Sequence, residues 1–200
     1  MGNDAVVGLV LAAGAGRRMG GPKGLLRVAP TGASFVETAI AHLHEAGVGE
    51  VHVVVGASAA HVAALAAQAG GVVVEAAGWG EGMGASLRAG LDALEPTAAR
   101  AALVMLVDLP DVGTGVHERV LEAAGDTDGD LSSVLVRAAY DGIPGHPVLL
   151  GREHWAAIRE GAVGDRGARD HLAGPRTRLV ECGDLATGRD VDRPTDLPTS

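Results

Sequence analysis

The run Leu11–Lys23, reading LAAGAGRRMGGPK, follows the apolar stretch Val6–Ala12 and gathers glycines, two arginines and a lysine into one loop. Glycine lets backbone approach a ligand closely and turn its N–H groups toward an anion. Arg18 and Lys23 can neutralise phosphate oxygens, and an arginine can bind them through two parallel bonds. The chemistry on offer is the holding of an oligophosphate. Met19 stands where a dinucleotide fingerprint needs its third glycine, and Lys23 is followed by Gly24 where a Walker A loop needs Ser or Thr. Taken alone, the loop also reads as a flexible turn with solvated arginines.

Two carboxylates could face it. Asp108 directly follows Ala101–Val107, the most continuous apolar run. That places it at the carboxyl edge of a central strand, where ligands bind in open α/β sheets. Mg²⁺ favours one or two carboxylates plus phosphate oxygens, so Asp108 reads as a metal ligand, or else as a turn residue before Pro110. Asp192 reads either as a second ligand or as the N-cap of a short final helix. Ser86 and Arg88 could face a nucleotide, yet Leu87, Leu91 and Leu94 make the same segment an ordinary amphipathic helix. Trp79 reads as a pocket cover or as an anchor for its loop, and Trp155 as core. His42 and His44, two apart on a helix, point in different directions and make no metal pair. His52, His61, His117, His154 and His171 show no metal-ligand spacing and read as surface or helix-face residues. Cys182, the single cysteine, excludes an intramolecular disulfide and reads as a small buried or half-buried residue.

These residues need a scaffold. Strands are expected at Val6–Ala12, Val51–Val55, Val72–Glu75, Ala101–Val107, Ser132–Tyr140, Pro147–Leu150 and Arg178–Cys182. Helices are expected after a capping box at Ser34/Glu37, from a Ser58 cap to about Gln68, and over Ala85–Leu94, Gly115–Ala124, Arg152–Arg159 and Asp165–Leu172. Strands alternating with helices predict a three-layer α/β fold with a mostly parallel sheet and helices on both faces. Residues 126–130 read as an exposed turn, and the tail after Leu197 as loose. No linker or internal repeat divides the 200 residues, so one domain over 1–200 is expected.

Hydrophobic residues make up 47% and aromatics only 2%, so Ala, Val and Leu must build the core. A net charge of −9 argues against a general nucleic-acid or anionic-membrane binder. It leaves room for a nucleotide held by one local cluster. The N-terminus lacks a basic n-region and a cleavage site, and no apolar run is long enough to span a bilayer, so a cytoplasmic location is expected.

The loop resembles the LAAGxGxRMGxxK signature of the MobA-like NTP transferase family, closest to its molybdenum cofactor cytidylyltransferases. Further blocks match in order: Gly82–Leu91 resembles GMxxSLxxGL, Asp108-Leu109-Pro110 resembles GDxP, Gly142–Pro147 resembles GxxGHP, Gly164–Arg169 resembles GDxGAR, and Asp190–Leu197 resembles DIDTPEDL. Val107 stands where the pattern has glycine, and Arg193 where it has threonine; an arginine beside Asp192 could pair with it. The resemblance implies a Rossmann-like nucleotide-diphospho-sugar transferase fold. It also implies attack by a substrate phosphate on the α-phosphorus of a nucleoside triphosphate, with release of pyrophosphate. Arg18, Lys23 and Asp108 would be catalytic. The nucleotide would rest on Leu11, Ala12, Ala13, Gly14, Gly16, Arg17, Arg18, Lys23, Ser86 and Asp108, with Mg²⁺ on Asp108 and Asp192. Gly145, His146, Pro147 and Asp165 would hold a second substrate, a phosphorylated cofactor such as molybdopterin; a molybdoenzyme is a possible protein partner. The LAAG form of the loop implies CTP. The chain is also similar to actinobacterial proteins named nicotine blue oxidoreductases, which implies NAD(P)H-dependent reduction as an alternative. A non-catalytic cofactor carrier or chaperone is a third reading.

Overall fold

The computed structural model describes residues 5–28, 31–125 and 130–197. The turn expected at 126–130 and the tail after Leu197 lie almost wholly outside them. Seven strands form one sheet: β1 (Val6–Leu11), β2 (Glu50–Val55), β3 (Val72–Glu75), β4 (Ala101–Leu106), β5 (Leu135–Tyr140), β6 (Ile143–Gly151) and β7 (Arg178–Glu181), in the order β3-β2-β1-β4-β6-β5-β7. β3, β2, β1 and β4 pair in parallel. β6 runs antiparallel to both β4 and β5, and β5 pairs in parallel with β7.

Among the described residues, six helices cover the two faces. α1 (Phe35–Glu45), α2 (Ala59–Gln68) and α4 (Thr114–Gly125) bury Phe35, Ile40, Leu43, Val62 and Val120 against Val10, Val53, Leu103 and Met105. On the other face, α3 (Met83–Leu94), α5 (Trp155–Gly161) and α6 (Arg169–Leu172) bury Leu87, Leu91, Trp155, Ile158 and Leu172 against Leu9, Val104 and Leu150. Alternate residues of one strand enter opposite cores, as the pleat requires. Small side chains permit close layers: a Cβ on Gly90 of α3 would come within 2.7 Å of Leu9 on β1. No helix among the described residues is long and apolar enough to cross a membrane.

Most expected elements form, with boundary changes that have local causes. The Ser34 hydroxyl accepts from the Glu37 N–H while the Glu37 carboxylate accepts from the Ser34 N–H, completing the box that starts α1. Ser58 precedes α2 with a left-handed φ of 53° and makes no side-chain cap, contrary to expectation. α3 begins at Met83, two residues before the expected start. The expected strand at Ser132 begins only at Leu135, because Asp130 caps a 3-10 turn over Leu131–Ser133. β6 is far longer than Pro147–Leu150, since it is stitched on both sides. The two expected C-terminal helices each open as a 3-10 turn before α5 and α6. Cys182 is fully buried.

Candidate active site

β1 delivers the glycine loop to the carboxyl edge of the sheet. Leu11, Ala13, Gly14, Gly16, Arg17 and Lys23 line a cavity of about 440 Å³ there, joined from the other side by Trp79, Ser86 and Asp108. Ala12 does not line it; its N–H donates to the Val54 carbonyl at 2.9 Å and the residue is buried. Gly16 holds a φ of 56°, and a Cβ there would stand 1.9 Å from the Gly21 carbonyl oxygen. Only glycine closes this turn, which brings Lys23 back over the strand end. Trp79 serves both readings at once: it lines the cavity and lies so close on Gly56 that a Cβ there would meet its ring carbon at 2.5 Å.

Asp108 faces the loop from the end of β4. The Val191 N–H donates to the Asp108 carbonyl at 2.9 Å, docking the C-terminal segment alongside. Val191 is buried in the core, so Asp190 and Asp192 project the other way. One oxygen each of Asp108, Asp190 and Asp192 lies within 4.8 Å of the others. Thr187 helps to hold this arrangement, since its N–H and hydroxyl both donate to Asp111 Oδ2, at 2.7 and 2.6 Å. Asp190 is the candidate ligand that the motif reading missed. The alternation of Asp-Val-Asp around a buried valine was the available signal.

The Lys23 ammonium donates to Asp108 Oδ2 at 2.8 Å and to Asp192 Oδ1 at 2.5 Å. Burial pulls the Lys23 pKa down, but the hydrogen bonds and charges of Asp108 and Asp192 outweigh it and hold the group above its ordinary value. The hydrogen bond from Lys23, then its charge, holds Asp192 below the usual carboxylate range, against burial and with help from Arg18 and Arg193. Arg18 lies 3.4 Å from Asp192, largely exposed, while Arg17 takes the place in the cavity lining. Asp192 is not the cap of the final turn, which follows Arg193. Its close partner is Lys23, not Arg193.

Three converging carboxylates suit a hard divalent cation, which takes oxygen ligands almost exclusively. The Lys23 ammonium rests on two of the three, so lysine and metal would compete for the same oxygens.

A second cavity of about 260 Å³ adjoins the first and shares Leu11, Met83, Leu106 and Asp165 with it. Gly145 and His146 line it, while Pro147 is buried behind them after a cis His146–Pro147 bond. The Tyr140 hydroxyl donates to the His146 carbonyl at 2.5 Å. Burial, then the charge of Arg137, lowers His146 to about 4, so the imidazole is neutral near pH 7. Asp108 lines the first cavity and Asp190 the second, which sets the carboxylate triad at their junction.

Elsewhere the histidines depart from the sequence reading. His117 and His52 are buried rather than superficial. His154 and His171, far apart in sequence, meet with Nδ1 and Nε2 3.0 Å apart.

Residues 8–181 match the MobA-like NTP transferase domain. The chain is 36% identical over 197 residues to a nicotine blue oxidoreductase from Paenarthrobacter nicotinovorans, covering 94% of this chain and 92% of that protein. Rv0371c from Mycobacterium tuberculosis H37Rv superposes with a TM-score of 0.77 at 26% identity, over 96% of this chain and 94% of its own. The same protein in complex with manganese gives 0.70 at 25% identity, over 93% of each chain. A nucleotidyl transferase from Methanothermobacter thermautotroptrophicus shares the fold, with a TM-score of 0.78 at 23% identity over 96% and 93% of the two chains. With most of its length matched by one family model, and with that family's glycine loop facing carboxylates at the sheet edge, the chain belongs to the MobA-like NTP transferase family and is a nucleotidyltransferase.

Proposed function

We propose that this enzyme moves a nucleoside monophosphate, CMP from CTP, onto a phosphorylated small-molecule cofactor such as molybdopterin, and releases pyrophosphate with Mg²⁺ as its metal. The supporting observation is that Arg17, Lys23 and Asp108 line one cavity, with Asp190 and Asp192 clustered beside Asp108 and Lys23 only 2.8 Å from Asp108. A triphosphate in that space touches cations on one side and carboxylates on the other. The choice of CTP rests on the LAAG form of the loop alone.

In this reading the N–H groups of the glycine loop and the guanidinium of Arg17 bind the β- and γ-phosphates. Lys23 leaves its carboxylates and follows the charge that grows on pyrophosphate as it departs. Asp108, Asp190 and Asp192 hold the Mg²⁺, which when bound supplies charge neutralisation at the reacting phosphate. The acceptor phosphate enters from the second cavity and is positioned by the Gly145–His146 segment and Asp165. An acceptor phosphate is already an anionic nucleophile, so no protein nucleophile is needed; positioning and charge stabilisation suffice.

Pyrophosphate is expected only when Mg²⁺, triphosphate and acceptor are all present. Undiminished turnover in a chelated assay would remove the metal role. A thermal-shift panel of CTP, GTP, ATP, UTP, NADH and NADPH, each with and without Mg²⁺, identifies the nucleotide, because a ligand of the folded state raises apparent stability. The kinship with a nicotine blue oxidoreductase motivates the second reading. Steady NAD(P)H oxidation with a quinone-like dye, together with no CTP shift, would favour it. A carrier without turnover would show no rate for Asp108→Ala to abolish.

A further inference from the structure

The cleft continues beyond the second cavity. A third cavity, also about 440 Å³, shares Arg137, Pro144, Arg169 and Leu172 with it. The middle cavity therefore has two ends of opposite character. Asp165 and Asp190 stand at the end toward the triphosphate cavity, and Arg137 and Arg169 at the far end. Val104, Leu106, Val148 and Leu150 line the stretch between them.

Arg137 lies on β5 opposite Val148 of β6. Its Nε donates to the Gly145 carbonyl at 2.8 Å and its Nη2 to the Pro144 carbonyl at 3.3 Å. Neutral carbonyls fix the fork of the guanidinium without neutralising it. Arg169, exposed, opens α6. No carboxylate among the described residues forms an ion pair with either arginine; the nearby pair joins Arg166 to Asp170 at 3.5 Å. Burial, then the charge of Arg169, lowers the Arg137 pKa, which marks two like charges held close in a partly dry setting. An anion is the ligand that relieves such an arrangement, and a guanidinium held in place binds one through directed, charge-assisted bonds.

We propose that Arg137 and Arg169 form a subsite for a second anionic group of the acceptor, a carboxylate or phosphate, at the end remote from the phosphate that reacts. This rests on the transfer reading above and narrows it. The acceptor class is then a two-ended molecule: a phosphate near the aspartate triad, an apolar middle, and a second acidic group between Arg137 and Arg169.

The test uses three probes, phenyl phosphate, 4-carboxyphenyl phosphate and 1,4-phenylene bisphosphate, titrated calorimetrically into the full chain with saturating Mn²⁺. At least one of the two-ended probes is expected to bind about tenfold more tightly than phenyl phosphate, the yield of one charge-assisted contact. Which of them gains more tells carboxylate from phosphate. Arg169→Gln should erase the gain and leave the phenyl phosphate affinity where it was. Arg137→Gln should do the same, but it also removes two bonds that hold β6, so R169Q is the primary variant. No gain in the wild type, a gain that survives in R169Q, or no binding of any probe overturns the proposal. CTP, GTP, ATP and UTP titrated with Mn²⁺ into the wild type separate the two claims: failure of all four, with the two-ended preference intact, sinks the transfer reading and leaves the subsite standing.

Discussion

The two halves of the sheet build their parts of the cleft in different ways. In the parallel half, β1 and β4 end side by side, and the site is made from the segments just past their ends: the glycine loop after β1 and Asp108 after β4. Loops supply N–H groups and long cations that can adapt to a flexible triphosphate. In the antiparallel half, β6 turns back between β4 and β5, and the lining comes from within strands, Arg137 on β5 and Gly145–His146 on β6. Side chains anchored in a sheet have less freedom than loop side chains. Under the proposed transfer this is a division of labour: the parallel half would take a phosphate chain of fixed chemistry, and the antiparallel half an acceptor chosen by its shape and its second acidic group.

If that division holds, changes in the first half reduce the chemical step with every acceptor, and changes in the second alter acceptor KM. The largest effect should come from Asp108→Ala, which removes a carboxylate of the proposed metal site at the junction. Turnover is expected to fall on the order of 10³-fold, comparable to losing a central charge-stabilising group. Near-wild-type turnover in a folded D108A protein would break the comparison. Lys23→Met comes next, with an expected loss of roughly 10²-fold from the same cause. It carries an opposite sign in a second measurement: without triphosphate, Mn²⁺ should bind more tightly, because the ammonium no longer occupies Asp108 and Asp192. Weaker Mn²⁺ binding in K23M would show that lysine assists the metal instead of competing with it.

A third prediction concerns pH and the antiparallel half. His117 on α4 is fully buried, its Nδ1 bonds the Gly113 carbonyl at 2.9 Å, and its Nε2 has no partner among the described residues. Burial lowers its pKa from 6.5 to about 4, with the Gly113 bond opposing. The unfolded chain takes up a proton near 6.5, and the folded chain only near 4. The folded state therefore loses ground as pH falls through that window, by about 3 kcal/mol if the whole shift is expressed. Denaturant titrations at a series of pH values should show this slope and His117→Leu should flatten it; an unchanged slope would assign acid sensitivity to other groups. The smallest effect is expected from Asp111→Asn. It weakens the two bonds from Thr187 that align Asp190 and Asp192, at a cost of about 1 kcal/mol. The Mn²⁺ affinity should drop a few-fold, with the CTP affinity measured without metal unchanged.

The sequence made the parallel half readable almost throughout. The Val6–Leu11 strand, its glycine loop and the strand before Asp108 are each a local pattern of burial, turn chemistry and charge. The antiparallel half was less legible. β6 carries Pro144 and Pro147 and starts on exposed residues, so nothing in its own pattern announces nine strand residues. Its length comes from partners on both sides. The histidines repeat the point: nothing in their spacing joins His154 to His171 or buries His117 on α4.

The order of motifs along the chain was enough to determine the family and the nature of the chemistry and to single out Lys23 and Asp108 as candidates, because each motif is a pattern of neighbours within a few positions. Tertiary structure alone decided that Asp190 joins the triad, that Lys23 rests on Asp108 and Asp192, that Arg17 lines the cavity while Arg18 turns to Asp192, and that Arg137 and Arg169 line the same two cavities. Those proximities join residues widely separated along the chain. They result from the strand order, and strand order is set by long-range pairing and by which faces find a helix to cover them, quantities that no local spacing encodes.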